Sequence, residues 1–127
     1  MPTLRAAAAA VSLTDDAHPG TELVFVRGHE GEFRATALVI EGETRLCLVS
    51  IDALVPPTDM IHAATRRIAE STSIPADNVL ICATHTHTGP TTHDSFGATP
   101  NPEYKRRMED GAVQAVRAVL TDRTARE

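Results

Sequence analysis

A chain of 127 residues, 42% of them hydrophobic, is the size of one domain, 1–127, and is long enough to enclose its own core. Its net charge of −5 argues against nucleic acid or an anionic membrane as the main partner, because both select basic surfaces. With no Trp and only 3% aromatic residues, stacking platforms for bases or sugars are poorly supplied. No apolar run approaches the ~20 residues that span a bilayer, and the Arg5, Ala6–Ala10, Val11 stretch lacks the apolar strength and cleavage region of a signal peptide. Cys47 and Cys82 fall inside apolar strand-like runs, where a free thiol behaves as a small hydrophobe rather than as part of a disulfide framework. The expected compartment is therefore reducing and cytoplasmic.

Small and β-branched residues over Ala8–Leu13 predict a short edge strand, followed by a loop through Thr14–Gly20. Leu23–Val26 reads as another short strand or as irregular chain, closed by a Gly28-His29-Glu30-Gly31 loop. The firmest β signal is the pair Ala35–Ile40 and Arg45–Ile51, a hairpin joined by Glu41-Gly42-Glu43-Thr44, with Gly42 expected to supply a positive φ. Leu46-Cys47-Leu48-Val49 is apolar on consecutive positions, which predicts a central strand covered on both faces.

After Pro56-Pro57, Thr58 is the expected N-cap of a helix with Asp59 in its first turn, Ile61, Ala64 and Ile68 on one face, and Pro75 as its stop. Asn78–Ala83 supplies the next buried strand, Val79-Leu80-Ile81-Cys82. Strand, helix and strand in this order predict a right-handed parallel crossover. A Thr88–Pro100 loop leads to Asn101 as N-cap and Pro102 at the first helical position, and Tyr104, Met108, Ala112, Ala115 and Val119 then recur on one stripe. The Thr121–Glu127 segment reads as a frayed tail. The fold class is α/β: a mixed sheet with a hairpin, a crossover and a C-terminal amphipathic helix.

Thr84-His85-Thr86-His87-Thr88-Gly89-Pro90 begins where the Asn78–Ala83 strand ends, at the carboxyl edge where open α/β sheets gather ligands. Side chains at i and i+2 of an extended segment point the same way, about 6.6 Å apart at ~3.3 Å rise per residue, which suits a divalent metal or a metal and its attacking water. Asp52 follows the other central strand. If the two strands are neighbours, its carboxylate reaches the same crevice, either to take the second ring N–H of a histidine or simply to cap backbone N–H groups. Gly89 leaves room for a ligand against the backbone, Pro90 directs the chain, and Thr84, Thr86 and Thr88 offer hydroxyls. His93 is read as a loop histidine outside the cluster. His18, His29 and His62, with Arg66 and Arg67, are read as surface groups, and Tyr104 as a core anchor.

Val49-Ser50-Ile51-Asp52, Asn78-Val79-Leu80 and Thr84–Pro90, in this order and spacing, resemble the N-terminal region of the neutral/alkaline non-lysosomal ceramidases. The resemblance runs from about Ala8 to Leu120. It implies part of the N-terminal catalytic domain of a zinc-dependent amidase that cleaves ceramide-like N-acyl lipids into fatty acid and sphingoid base, a family for which secretion is also possible. By motif, His85 becomes a zinc ligand and His87 stands beside the metal or near the substrate, though both as ligands stays open. In that family the zinc site is completed by a second histidine, a glutamate and a tyrosine from much later in a longer chain. The missing donors would come from the remainder of the enzyme or from a second subunit. Leu13-Thr14-Asp15-Asp16 stands where the family shows an Ile-Thr-Pro-Pro-like string, Thr88 replaces a serine, and Thr91-Thr92-His93 follows where glycines are common. Two rivals remain: a non-catalytic interaction module that keeps the histidines, and a different metal hydrolase completed by a partner.

Overall fold

In the computed structural model, residues 3–14, 32–94 and 97–123 are described. The expected strand Leu23–Val26, the 28–31 loop, most of the loop after Thr14, His18 and His29 lie outside those residues, as do the last four positions of the tail. The elements are β1 (Arg5–Ser12), β2 (Arg34–Glu41), β3 (Arg45–Ile51), α1 (Thr58–Ser71), a 3-10 turn over Ala76–Asn78, β4 (Val79–Ala83) and α2 (Pro102–Arg123). They form one four-stranded mixed sheet in the order β1-β2-β3-β4. The expected hairpin is β2 and β3, antiparallel with Ala35 opposite Ile51 and Glu41 opposite Arg45. The crossover through α1 returns β4 parallel to β3, with Val49 beside Ile81.

The expected edge strand is β1, which starts at Arg5 rather than Ala8, although an alanine run is intrinsically the best helix former. Pairing decides the matter: all eight residues of β1 align antiparallel with β2, from Arg5 against Glu41 to Ser12 against Arg34. Alternation then turns Ala7, Ala9 and Val11 toward the core while Ala6, Ala8 and Ala10 face outward. Both helices pack against each other and share one face of the sheet with Ala35, Ala37, Val39, Cys47, Val49, Ile51 and Ile81. From α1 come Met60, Ala64 and Ile68, and from α2 the whole anticipated stripe of Tyr104, Met108, Ala112, Ala115 and Val119, fully buried.

The opposite face carries exposed apolar residues, which corrects the expectation for the central strands. β3 is central, but Leu46 and Leu48 are 48% and 37% exposed, and on β4 Leu80 is 59% exposed with Cys82 also open. Leu38, Leu48 and Leu80 sit in one cross-strand row on that side, with Ala8 at its end. Consecutive apolar residues here mark two different environments, one a helix-packed core and one bare sheet.

Several local signals resolve differently from expectation. Gly42 does not adopt a positive φ, since Gly97 is the described glycine that does. The turn closes instead through Gly42 N–H donating to the Thr44 carbonyl at 2.9 Å. Pro57, not Thr58, is the N-cap of α1, and Thr58 is already helical. The helix ends at Ser71, before Pro75, because Thr72 turns back with both its N–H and its hydroxyl donating to the Ile68 carbonyl. At α2 the expected cap is present, Asn101 Oδ1 accepting from Tyr104 N–H at 3.0 Å. The helix continues to Arg123 into the expected tail. Arg67 is not a merely solvated face: it pairs with Glu109 at 2.9 Å and Asp110 at 2.7 Å on α2, and beside it Lys105 pairs with Asp59. Arg66 and His62 are exposed, as expected.

α2 packs on the small residues of β1 and β2, and at Gly111 there is no room for a side chain. A Cβ there would overlap Leu13 Cδ2 and press on Ala35 Cβ at 3.4 Å. Gly111→Ala gains ~1 kcal/mol of helix propensity, yet overpacking of this kind costs ~1–3 kcal/mol. Urea denaturation should therefore show net destabilisation, and pairing it with Leu13→Ala should cost less than the sum of the two single changes. The cysteines give a second test. Burial pushes the Cys47 thiol up to about 11, whereas Cys82 is exposed. A thiol reagent near neutral pH should label one cysteine in the folded chain and two in denaturant.

Candidate active site

The parallel pairing of β3 and β4 does not stop at the strand ends. Thr84 N–H donates to the Ile51 carbonyl at 3.0 Å, so the two chains leave the sheet side by side. The next residue on the β3 side is Asp52, which forms a knot. Its Oδ2 accepts from Arg34 N–H at 2.8 Å, its own N–H donates to the Arg34 carbonyl at 2.9 Å, and its Oδ1 accepts from the Thr84 hydroxyl at 3.1 Å. Its carbonyl accepts from the Tyr104 hydroxyl at 2.6 Å. One residue thus ties together the ends of β2, β3 and β4 and the first turn of α2. The carboxylate lies beside the chain that leaves β4, and it is spent on a backbone N–H and a threonine rather than on a histidine.

The histidine's orienting partner is a backbone carbonyl two residues on: His85 Nδ1 lies 2.9 Å from Leu54 O. A carbonyl oxygen only accepts, so Nδ1 carries the proton and in the neutral ring Nε2 keeps the free lone pair. The backbone conformation behind this contact corrects the extended-strand expectation. His85 sits at φ +62°, the left-handed region, the one described non-glycine residue to do so. Such a conformation costs ~1–2 kcal/mol, and histidine is among the residues enriched there. The left-handed turn swings the chain so that the His85 and His87 rings meet edge to face, with centroids 5.0 Å apart and planes at 77°. Both residues are exposed.

Below the imidazoles, Thr86 and Thr88 hydroxyls bond to each other at 3.0 Å. At Gly89 a Cβ would meet the Phe33 ring and Thr86 Cγ2 at 3.6 Å, ordinary contact, so the fold itself does not demand a glycine there. Pro90 and Thr92 are buried, and the Thr92 hydroxyl accepts from Val55 N–H at 3.4 Å, pinning the outgoing loop to the segment after β3. His93 has a buried Nδ1 without a hydrogen-bond partner, and it makes no described contact with the histidine pair. Tyr104 is the expected core anchor, its ring edge-on to Phe33 at 6.2 Å. Burial, with the Asp52 charge adding to it and Arg107 opposing, pushes its phenol up, so the hydroxyl stays a donor.

Among the described residues, no three His, Cys, Asp or Glu side chains are grouped to hold a metal ion. Catalytic zinc takes three protein ligands and an open position. The donors present therefore fit zinc in kind, an Nε2 presented toward solvent with its partner nitrogen fixed, and fall short in number.

Two participants escaped sequence reasoning: the Leu54 carbonyl and the Tyr104 hydroxyl. A carbonyl leaves no sequence signal. For Tyr104 the clue was available, since a phenol on a buried apolar stripe must find an acceptor. Asp52→Ala should cost about 1.5–3 kcal/mol in denaturant unfolding, the range for a hydrogen bond to a charged group. It should also raise the hydrogen-exchange rate of the Arg34 amide while leaving the amides of α1 slow.

No family model matches this chain and no curated protein sequence matches it. Solved structures do. Neutral ceramidase from Pseudomonas aeruginosa superposes with a TM-score of 0.76 at 20% identity, over 95% of this chain and 22% of that one. A ceramidase complexed with C2 gives 0.74 at 20% identity, with the same coverage. The chain thus spans about a fifth of the length of the proteins it superposes on. Across nearly all of its residues, it has the fold of a segment of neutral ceramidase, the family that its Thr84–Pro90 motif resembles.

Proposed function

We propose that this chain supplies part of the active centre of a zinc-dependent amide hydrolase that cleaves the N-acyl bond of a ceramide-like lipid in the cytoplasm. The observation that carries this reading is the His85–His87 pair, held at the carboxyl ends of two parallel strands in a ceramidase-like fold. His85 contributes its free Nε2 to the metal, and His87, beside it, faces the reacting atoms. Zinc, when bound, lowers the pKa of its water to about 7 and polarises the amide carbonyl.

The chain's own residues have three duties. Leu54 O holds the His85 ring in the ligating tautomer. Asp52 holds the two strand exits together rather than moving a proton. His87 donates a hydrogen bond to the oxygen that gains charge as the amide is attacked, or carries a proton to the leaving amine, duties that suit an imidazole. The remaining donors come from polypeptide beyond these residues, in the same chain or in a partner.

The exposed leucines Leu46, Leu48 and Leu80 favour a second reading, an interaction module in which the histidines are inherited and idle. Zinc titration calorimetry separates the two. With one or two ligands in place, the chain should bind about one zinc ion with a Kd weaker than ~1 μM, and His85→Ala should abolish the heat. Equal binding by the variant rejects His85 as a ligand. In the assembled enzyme, His87→Ala should keep the zinc and lose at least ~100-fold in ceramide hydrolysis, the low end for a general acid–base group.

A further inference from the structure

We propose that Tyr104 is a positioning residue for His85, acting through the Asp52–Leu54 turn to set which imidazole nitrogen faces the site. The route is short and continuous. Tyr104 OH donates to the Asp52 carbonyl at 2.6 Å, and two residues later the Leu54 carbonyl accepts the His85 Nδ1 proton at 2.9 Å. The turn between them is gripped from its other side by the Asp52 carboxylate, which holds Arg34 N–H and the hydroxyl of Thr84, the residue just before His85.

The anchor is stiff. Tyr104 is fully buried, edge-on to Phe33, and seated in a first helical turn capped by Asn101. The element it steadies is the opposite: an exposed histidine in a left-handed conformation that the isolated chain disfavours. A side chain in such a conformation keeps one orientation only while its surroundings impose it. Among the described residues the His85 ring nitrogens have one hydrogen-bond partner, the Leu54 carbonyl, which lies in the turn that Tyr104 holds. Without the hydroxyl, the Asp52 carbonyl loses its buried donor, the turn relaxes, and the His85 ring is freed to exchange its proton between Nδ1 and Nε2.

The inference concerns the same site as the proposed hydrolase, and its test needs neither metal nor substrate, so its failure and that of the zinc reading are told apart. Tyr104→Phe keeps the ring against Phe33 and removes only the hydroxyl. In mildly alkaline solution, where imidazoles are neutral, nitrogen-15 spectra of the whole chain report the tautomer of each histidine. The wild type should show His85 as the Nδ1–H form alone. In folded Tyr104→Phe the two His85 nitrogen signals should move toward each other, as a mixture of tautomers requires, while those of exposed His62 on α1 stay put. A merely structural role would lower the unfolding midpoint and leave His85 in the Nδ1–H form, and that result overturns the proposal. Should Tyr104→Phe fail to fold, replacement of Tyr104 by 4-fluorophenylalanine, which fills the place of the hydroxyl without donating a hydrogen bond, is read in the same way: mixed His85 tautomers support the proposal and a pure Nδ1–H form overturns it.

Discussion

Everything at the candidate site depends on β3 and β4 running parallel as neighbours. Parallel strands emit their chains at the same edge, so the residues after Ile51 and after Ala83 leave side by side, and the Thr84 N–H to Ile51 carbonyl bond extends the ladder one step beyond both strands. An antiparallel pairing would have sent one of the two exits to the opposite end of the sheet. Asp52 would then have no Thr84 to hold, and Leu54 no His85 to orient.

What keeps that edge in order is mostly backbone chemistry. Asp52 uses its N–H, both carboxylate oxygens and its carbonyl, each on a different duty. Its partners come from β2, from the residue just past β4 and from α2, so one short turn registers three elements against one another. This arrangement suits an exposed place, where an isolated hydrogen bond is worth little and several bonds made by one ordered residue share the same entropy cost. The left-handed His85 is the strained member of the set. Its strain is tolerated because the neighbouring chain is over-determined, and its consequence is chemical: an imidazole whose Nδ1 is occupied and whose Nε2 is presented outward.

The body of the fold is asymmetric. One sheet face carries both helices and is lined on β1 and β2 by alanines, which bring α2 near enough that Gly111 has no space for a side chain. The other face offers Leu46, Leu48 and Leu80 to solvent. A one-sided layer is ordinary where the outer residues are polar, and here the outer face carries exposed leucines instead.

Local sequence determined the hairpin, α2 with its Asn101 cap and buried stripe, the strand–helix–strand order, and the clustering of Asp52 with the histidine motif. Each of these rests on near-neighbour chemistry, such as alternation, helical spacing, a capping side chain, or a motif placed just past a strand. Tertiary structure alone decided the rest. Whether Leu48 and Leu80 lie in a core or on a bare face depends on how many layers cover the sheet, and consecutive apolar residues read the same in both cases. The edge strand expected from Ala8 reaches back to Arg5 because β2 offered the alanine run a ladder along its full length. That His85 is oriented by Leu54 rather than Asp52, and that Tyr104 reaches across from another element to hold the turn, followed from carbonyls, which every residue carries and which no sequence can tell apart until the chain has brought a donor to one of them.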